Sequence, residues 1–279
     1  MSIFFNHNNN LYPEGTPVLS PDNSSFRYGD GVFETMKAQN CSVLLKDLHI
    51  QRLFSAIKQL DFELPGYFTP SYLEEKIAAL CKKNQHTKTA RVRLTVYRGD
   101  GIAPGSLDNY AGFIIQSWEI YDERRLNPEG LVIDIYPHAR KSCDSFSNLK
   151  SNNFLSYILA ANHAKKNNLD DCLLLNSYER MCESSIANLF IIKDNTIYTP
   201  PLSEGCVAGV VRRWILENSA SFPFPVIESP ITIQQVADAD EIFLTNAIRI
   251  ISWVRQFRIS GYKNQITQLI YNRFIETIS

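Results

Sequence analysis

The chain has 279 residues with 28 basic and 29 acidic side chains, and 44% of it is hydrophobic and 11% aromatic. That is enough apolar surface for one large or two medium domains. A formal net charge of -1 leaves no electrostatic footprint for nucleic acid or an anionic membrane, so the expected partner is a small molecule or a second copy of the chain. Residues 27–46 read as two short strands around a break at Gln39-Asn40, because Phe33, Thr35 and Lys37 alternate with Glu34 and Met36. A helix is predicted from His49 to Leu60, where Ile50, Leu53, Phe54, Ile57 and Leu60 share a face and Asp47 can cap the start. A second helix covers Ser71 to Asn84. Ala90 to Tyr97 alternates at period two, which puts Arg91, Arg93, Thr95 and Tyr97 on one strand face. Gly99 to Gly105 reads as a loop and Tyr110 to Ser117 as a strand.

The run 122–130, charged and closed by Pro128 and Gly130, is the one convincing linker. It divides a smaller N-terminal α+β domain, 1–121, from a larger C-terminal domain, 131–279. Beyond it we expect a strand at Leu131–Tyr136, a helix at Phe154–Asn168, and strands at Cys172–Leu175, Ile186–Ile192 and Thr196–Tyr198. A helix starts near Val210, strands follow at Glu241–Leu244 and Ile250–Val254, and a last helix covers Gln265–Thr277. Strands and helices mixed with short connections predict an α/β or α+β fold.

The six cysteines (Cys41, Cys81, Cys143, Cys172, Cys182, Cys206) form no CxxC pair and no metal-like alternation with the five histidines. Reduced thiols and no metal site are expected. The N-terminal run Met1–His7 lacks the basic flank and apolar stretch of a signal peptide. No apolar run approaches membrane-spanning length. A cytoplasmic protein is expected.

Two residues invite chemistry. Glu183 stands in the mostly uncharged run Met181–Phe190, and Lys150 is a solitary lysine in the polar run Ser147–Leu155. A lysine that holds the cofactor as a Schiff base, with an acid that keeps its ring nitrogen protonated, is what a pyridoxal phosphate site needs. Alone, Glu183 reads equally as a turn or cap residue and Lys150 as a solvated charge. A phosphate needs backbone donors at a helix N-terminus, hydroxyls and usually an arginine. Gly209 precedes a helix whose first amides belong to Val210 and Val211, Thr245-Asn246 closes a strand, and Arg52 lies on the polar side of its helix. Each of these has an ordinary reading too, as a turn, a strand end or a salt-bridged surface arginine.

Their order along the chain is more specific than any one of them. Tyr28-Gly29-Asp30-Gly31-Val32-Phe33-Glu34-Thr35, Leu48–Leu53, Lys150, Glu183–Phe190, Thr199–Leu202, Gly209–Arg212 and Thr245–Ala247 together resemble the class IV aminotransferase family, the fold-type IV pyridoxal phosphate enzymes. The family includes branched-chain aminotransferases, D-amino acid aminotransferases and 4-amino-4-deoxychorismate lyases, and the resemblance runs from about residue 25 to 255. It implies a two-domain fold like that of D-amino acid aminotransferase, with pyridoxal 5'-phosphate bound between a small and a large domain of an obligate homodimer. It also implies roles. Lys150 is the Schiff-base lysine and Glu183 the partner of the ring nitrogen. Arg52, Gly209, the Val210 and Val211 amides, and Thr245 with Asn246 hold the phosphate. Ser184 and Ser185 lie beside the ring or the substrate, and Glu34, Arg91, Arg93 and Tyr97 fall on the substrate side.

Two positions depart from the family's pattern. Val211 stands where many members carry Thr, so only its amide can donate. Phe154 stands where branched-chain enzymes carry a tyrosine that bonds the cofactor's phenolic oxygen. The spacing Lys150-Ser151-Asn152-Asn153 is closer to the lyases and D-amino acid enzymes, and Thr245-Asn246-Ala247 resembles a lyase turn. Arg91, Arg93 and Arg98 supply cations for a dicarboxylate substrate, although Arg91 and Arg93 can equally be a solvent-facing strand side. The expected activity is an aminodeoxychorismate lyase, with a branched-chain or D-amino acid aminotransferase as the alternative. A catalytically silent binding dimer would be expected to have lost Lys150 or Glu183. A serine hydrolase would need a G-x-S-x-G elbow, which is missing.

Overall fold

The computed structural model describes residues 3–99, 110–121 and 125–278. The predicted loop beyond Gly99 and the first part of the predicted linker, residues 122–124, lie outside the described residues. The chain divides into two compact units, Met1–Glu123 with Lys150–Phe154, and Arg124–Leu149 with Leu155–Ser279.

The first unit contains β1 (Phe4–His7), β2 (Asn10–Pro13), α1 (Ser24–Tyr28), β3 (Gly31–Gln39), β4 (Ser42–Val43), α2 (Lys46–Gln59), α3 (Pro70–Lys83), β5 (Thr89–Arg98) and β6 (Ala111–Glu119). Its six strands form one antiparallel sheet in the order β2-β1-β6-β5-β3-β4. In this register Glu34 lies opposite Leu94, and Leu94 opposite Ile115. Val32, Met36, Val92, Leu94, Val96, Phe113 and Ile115 therefore share one face by strand alternation, and all are buried. Leu53, Ala56 and Ile57 of α2 and Leu73, Ile77 and Leu80 of α3 complete this apolar layer.

Helix α2 begins earlier than its apolar pattern suggests, with Leu45 in the left-handed region (φ 52°) and no side-chain cap. Asp47 sits inside the first turn, where its charge complements the helix dipole, and is not the cap. Helix α3 is capped by Thr69, whose hydroxyl accepts the Tyr72 N–H at 3.2 Å.

Residues 150–154 belong to this unit because backbone pairs hold them there. Phe33 N–H donates to Lys150 O and Asn152 N–H to Gly31 O, each at 2.8 Å. A Cβ on Gly31 would meet Asn152 Nδ2 at 2.4 Å and Val96 O at 2.8 Å, so only glycine permits this approach.

The second unit contains β7 (Leu131–Lys141), α4 (Leu155–Lys166), β8 (Asp171–Asn176), β9 (Met181–Ser184), β10 (Asn188–Lys193), β11 (Thr196–Thr199), α5 (Val210–Glu217), β12 (Val226–Glu228), α6 (Ile233–Ala237), β13 (Glu241–Asn246), β14 (Ile250–Phe257), β15 (Ser260–Gly261) and α7 (Gln265–Ile278). A mixed nine-stranded sheet runs β12-β11-β10-β13-β14-β7-β8-β9, with β15 beside β14. Its core includes Ile133, Leu173, Met181, Leu189, Ile242 and Val254.

Strands β9, β12 and β15 have no counterpart in the sequence reading, β14 runs on to Phe257, and two predicted strands change bounds near Glu183. β7 does not stop at Tyr136: its register with β8 shifts between Ile135 and Arg140, after which Arg140 and Lys141 pair with Leu175 and Asn176. The strand predicted from Ile186 starts only at Asn188, because Ser184 N–H closes a turn on Ala187 O at 2.7 Å. Among the described residues, no helix is long and apolar enough to cross a membrane.

Candidate active site

In the second unit the site is organised around Glu183 on β9, whose residue is 3% exposed. Its Oε1 accepts from Lys141 Nζ and from the Tyr157 hydroxyl, both at 2.6 Å. Its Oε2 accepts the Val207 N–H at 3.0 Å and faces Asn188 Nδ2 at 3.5 Å. The extension of β7 delivers Lys141, while α4 turns Tyr157 inward with Ala160 and Ala164. Lys141 also donates to Tyr157 Oη and to Ser147 O. Burial pulls the Lys141 ammonium down, but the Glu183 carboxylate outweighs it and leaves its pKa above the ordinary lysine value. Sequence reasoning missed both Lys141 and Tyr157. The one signal was Tyr157 itself, a hydroxyl on the buried face of a helix, which calls for a polar partner.

Asn188 joins this carboxylate to the start of α5 and to β13. Its Nδ2 donates to Val207 O at 2.8 Å, and across the ladder it pairs with Thr245 of β13. A Cβ on Gly209 would stand 1.8 Å from Asn188 Oδ1, so any larger residue at the entry to α5 would displace Asn188. Gly209 gives that helix no side-chain cap, and α5 opens with Val210 and Val211. Thr245 Oγ1 is buried and finds no hydrogen-bond partner among the described residues. A glycine-led helix start and an orphaned hydroxyl beside the same asparagine are what a phosphate group requires. The residues present fit pyridoxal phosphate.

Three other predicted residues of this unit have structural duties. Asn246 Oδ1 accepts the N–H groups of Ile248 and Arg249, so its side chain shapes the turn. Ser185 Oγ donates to Asp171 Oδ1 at 2.6 Å. Asp171 is buried, and its carboxyl is raised by that burial against the opposing bonds from Ser185 and Ser184. Sequence reasoning passed over Asp171 because it opens an apolar strand and reads as its flank.

In the first unit the four residues expected on the substrate side do not gather. Glu34 shares the apolar face with Val32 and Met36, where α2 supplies Arg52 and His49. Arg52 Nε and Nη2 donate to its two oxygens at 2.7 and 2.5 Å, and His49 Nδ1 lies 2.6 Å from Oε2. Burial alone would raise the Glu34 carboxyl, but Arg52 and His49 hold it down at about 2. Arg52 is thus held by an acid that sequence reasoning had placed elsewhere. Arg91, Arg93 and Tyr97 occupy the opposite face by strand alternation. Tyr97 is buried with its hydroxyl 2.5 Å from His7 Nε2, and Arg91 lies exposed over Trp118. The Arg93 guanidinium stands 3.7 Å from the centre of the Phe33 ring, and burial with Arg91 nearby lowers its pKa to about 10. The Lys150 ammonium lies 4.6 Å from the centre of the same ring, and Phe154 packs edge-on against it at 5.6 Å.

The family model for amino-transferase class IV matches residues 31–257. The chain belongs to the class IV aminotransferase family. Among its relatives, an aminodeoxychorismate lyase of Bacillus subtilis (strain 168) is 29% identical, covering 97% of this chain and 94% of that protein. A branched-chain-amino-acid aminotransferase of Pseudomonas aeruginosa is 26% identical, covering 91% and 86%. The solved structure of a branched-chain aminotransferase from Thermoproteus uzoniensis superposes with a TM-score of 0.89 at 22% identity, over 100% of this chain and 95% of that one. That last likeness concerns the fold. This class IV protein is a pyridoxal phosphate-dependent enzyme, a lyase or an aminotransferase.

Proposed function

We propose that this class IV enzyme is a 4-amino-4-deoxychorismate lyase, which releases pyruvate and leaves p-aminobenzoate. The observation that carries the reading is the Phe33 ring, which bears both the Arg93 guanidinium and the Lys150 ammonium. A cation for a substrate carboxylate therefore shares its platform with the amine that does the chemistry. Arg91 adds a second cation on the same strand face, and the proposed substrate carries two carboxylates. Phe154 closes on Phe33 as a hydrocarbon ring, with no donor where branched-chain enzymes place a tyrosine.

When bound, pyridoxal phosphate supplies an electron sink that acidifies the substrate's Cα–H. Lys150 would hold the cofactor, and its amine would take the substrate's Cα proton and return a proton as pyruvate leaves. Glu183 would partner the ring nitrogen. Gly209, the Val210 and Val211 amides and the Thr245 hydroxyl receive the phosphate, while Asn246 and Asp171-bound Ser185 hold the surrounding turns. Arg52, which the resemblance assigns to the phosphate, is paired with Glu34. Lys141 is the competing amine for cofactor attachment, but its ion pair with Glu183 keeps it protonated and non-nucleophilic. We also infer a homodimer, as the resemblance implies. Helix α4 supports it by leaving Leu155, Ile158 and Leu159 exposed along one side.

An aminotransferase is the second reading, favoured by the near-equal identity of the Pseudomonas relative. The test is to incubate the purified holoenzyme with aminodeoxychorismate alone, and separately with leucine or D-alanine plus 2-oxoglutarate. The lyase reading expects p-aminobenzoate without any 2-oxo acid acceptor. Rapid glutamate formation with no p-aminobenzoate would overturn it and leave the cofactor assignment standing.

A further inference from the structure

The cluster behind Glu183 holds more than a ring-nitrogen partner needs. An ionised carboxylate has about four lone-pair directions. Here Lys141 and Tyr157 take both on Oε1, and the Val207 amide takes one on Oε2. One direction on Oε2 is left, with Asn188 Nδ2 at a long 3.5 Å. The carboxylate is thus fixed in one rotamer before any ligand arrives. The side chains of Lys141 and Glu183 are only 9% and 4% exposed, so their attraction is little screened by water.

Among the described residues, the thiols and the phenol that sense Glu183 bring no charge. Cys182 neighbours it on β9 and Cys206 lies in the segment that also supplies Val207, and burial pushes both thiols up, Cys206 to about 12. Burial also raises the Tyr157 phenol, so it stays a neutral donor. Lys141 is therefore the one cation on the acid among these groups.

We propose that Lys141 and Tyr157 are positioning residues that fix the Glu183 side chain and moderate how strongly it retains the proton on the cofactor's ring nitrogen. The inference rests on the reading of Glu183 as that nitrogen's partner. An isolated buried carboxylate would bind the shared proton with its whole charge. A carboxylate already neutralised by Lys141 presents a reduced field, so the ring nitrogen loses its proton at lower pH. The electron sink would thereby be set by a lysine that acts through Glu183.

The test is nitrogen-15 NMR of the holoenzyme loaded with ring-labelled pyridoxal phosphate, titrated with pH. Lys141→Met should move the ring-nitrogen midpoint upward by about one pH unit or more, the scale for losing an opposite charge within hydrogen-bond distance. Lys141→Arg should return it towards the parent value, which a purely structural role for the lysine's stem would not require. Tyr157→Phe keeps the cation and removes one donor, so it should give a smaller upward shift. That variant carries the test if Lys141→Met does not fold. A parent-like midpoint in Lys141→Met, or in Tyr157→Phe where only that variant folds, overturns the proposal if Glu183→Gln does move the resonance. If Glu183→Gln leaves the resonance in place, the reading of Glu183 falls and the proposal falls with it.

Discussion

Thr245 makes a prediction with opposite signs in two measurements. Its hydroxyl is buried and has no partner among the described residues, which costs about 1–3 kcal/mol of desolvation that no bond offsets. Valine keeps the branched shape and suits a strand interior, so Thr245→Val removes that cost from the apoprotein. Urea unfolding of the apoprotein should show a higher midpoint with an unchanged slope, a gain of about 1–2 kcal/mol. With phosphate present the hydroxyl becomes a donor to a charged acceptor, worth about 1.5–3 kcal/mol. The same substitution should therefore weaken pyridoxal phosphate binding roughly ten- to hundredfold, measured by titrating the apoprotein. Thr245→Ser keeps the donor and should keep most of the affinity. If Thr245→Val lowers the urea midpoint, or binds the cofactor as tightly as the parent, Thr245 does not belong to the phosphate cradle.

Local pattern was legible wherever one face of an element meets a core. The alternation from Ala90 to Tyr97 located β5 and its arginine face, and the spacing Leu53–Ile57 located the buried side of α2. Glu34 was readable in principle. Val32 and Met36 flank it at period two, so its side chain points into an apolar layer and needs partners, and His49 and Arg52 stand three apart on the next helix. Lys141 was not readable. Pro137-His138-Ala139-Arg140-Lys141 carries no apolar alternation. It becomes strand only because a register irregularity lets Arg140 and Lys141 pair with β8. That is a tertiary event with no trace in the segment. The same holds for residues 150–154. They follow the first strand of the second unit in sequence, yet their backbone bonds to β3, which linear boundaries cannot express.

Borohydride reduction and peptide mapping should place the pyridoxyl group on Lys150. A label on Lys141 instead would reverse the assignment of both lysines. Arg93→Ala should lower kcat/KM for a carboxylate substrate roughly ten- to hundredfold, the loss of a charge-assisted bond, with cofactor affinity unchanged. An equal loss in cofactor affinity would move Arg93 off the substrate side. The last prediction concerns acid. Glu34 titrates at about 2 in the folded chain against an ordinary 4.5, because Arg52 and His49 outweigh its burial. A depressed carboxyl contributes stability that is fully present above its unfolded pKa and is lost as pH falls through the folded one. At about 1.36 kcal/mol per unit, Glu34 should account for roughly 3 kcal/mol lost between pH 4.5 and 2. His49 adds to acid sensitivity from higher pH, since burial disfavours its charged form and the unfolded chain protonates it below about 6.5. Unfolding free energy of the apoprotein should thus fall in two stages as pH drops. Glu34→Gln should be less stable at neutral pH, with the lower stage flattened, because no carboxylate remains to be protonated there. An undiminished slope between pH 4.5 and 2 in Glu34→Gln would mean that other carboxylates carry the acid transition and that the Glu34–Arg52 pair does not.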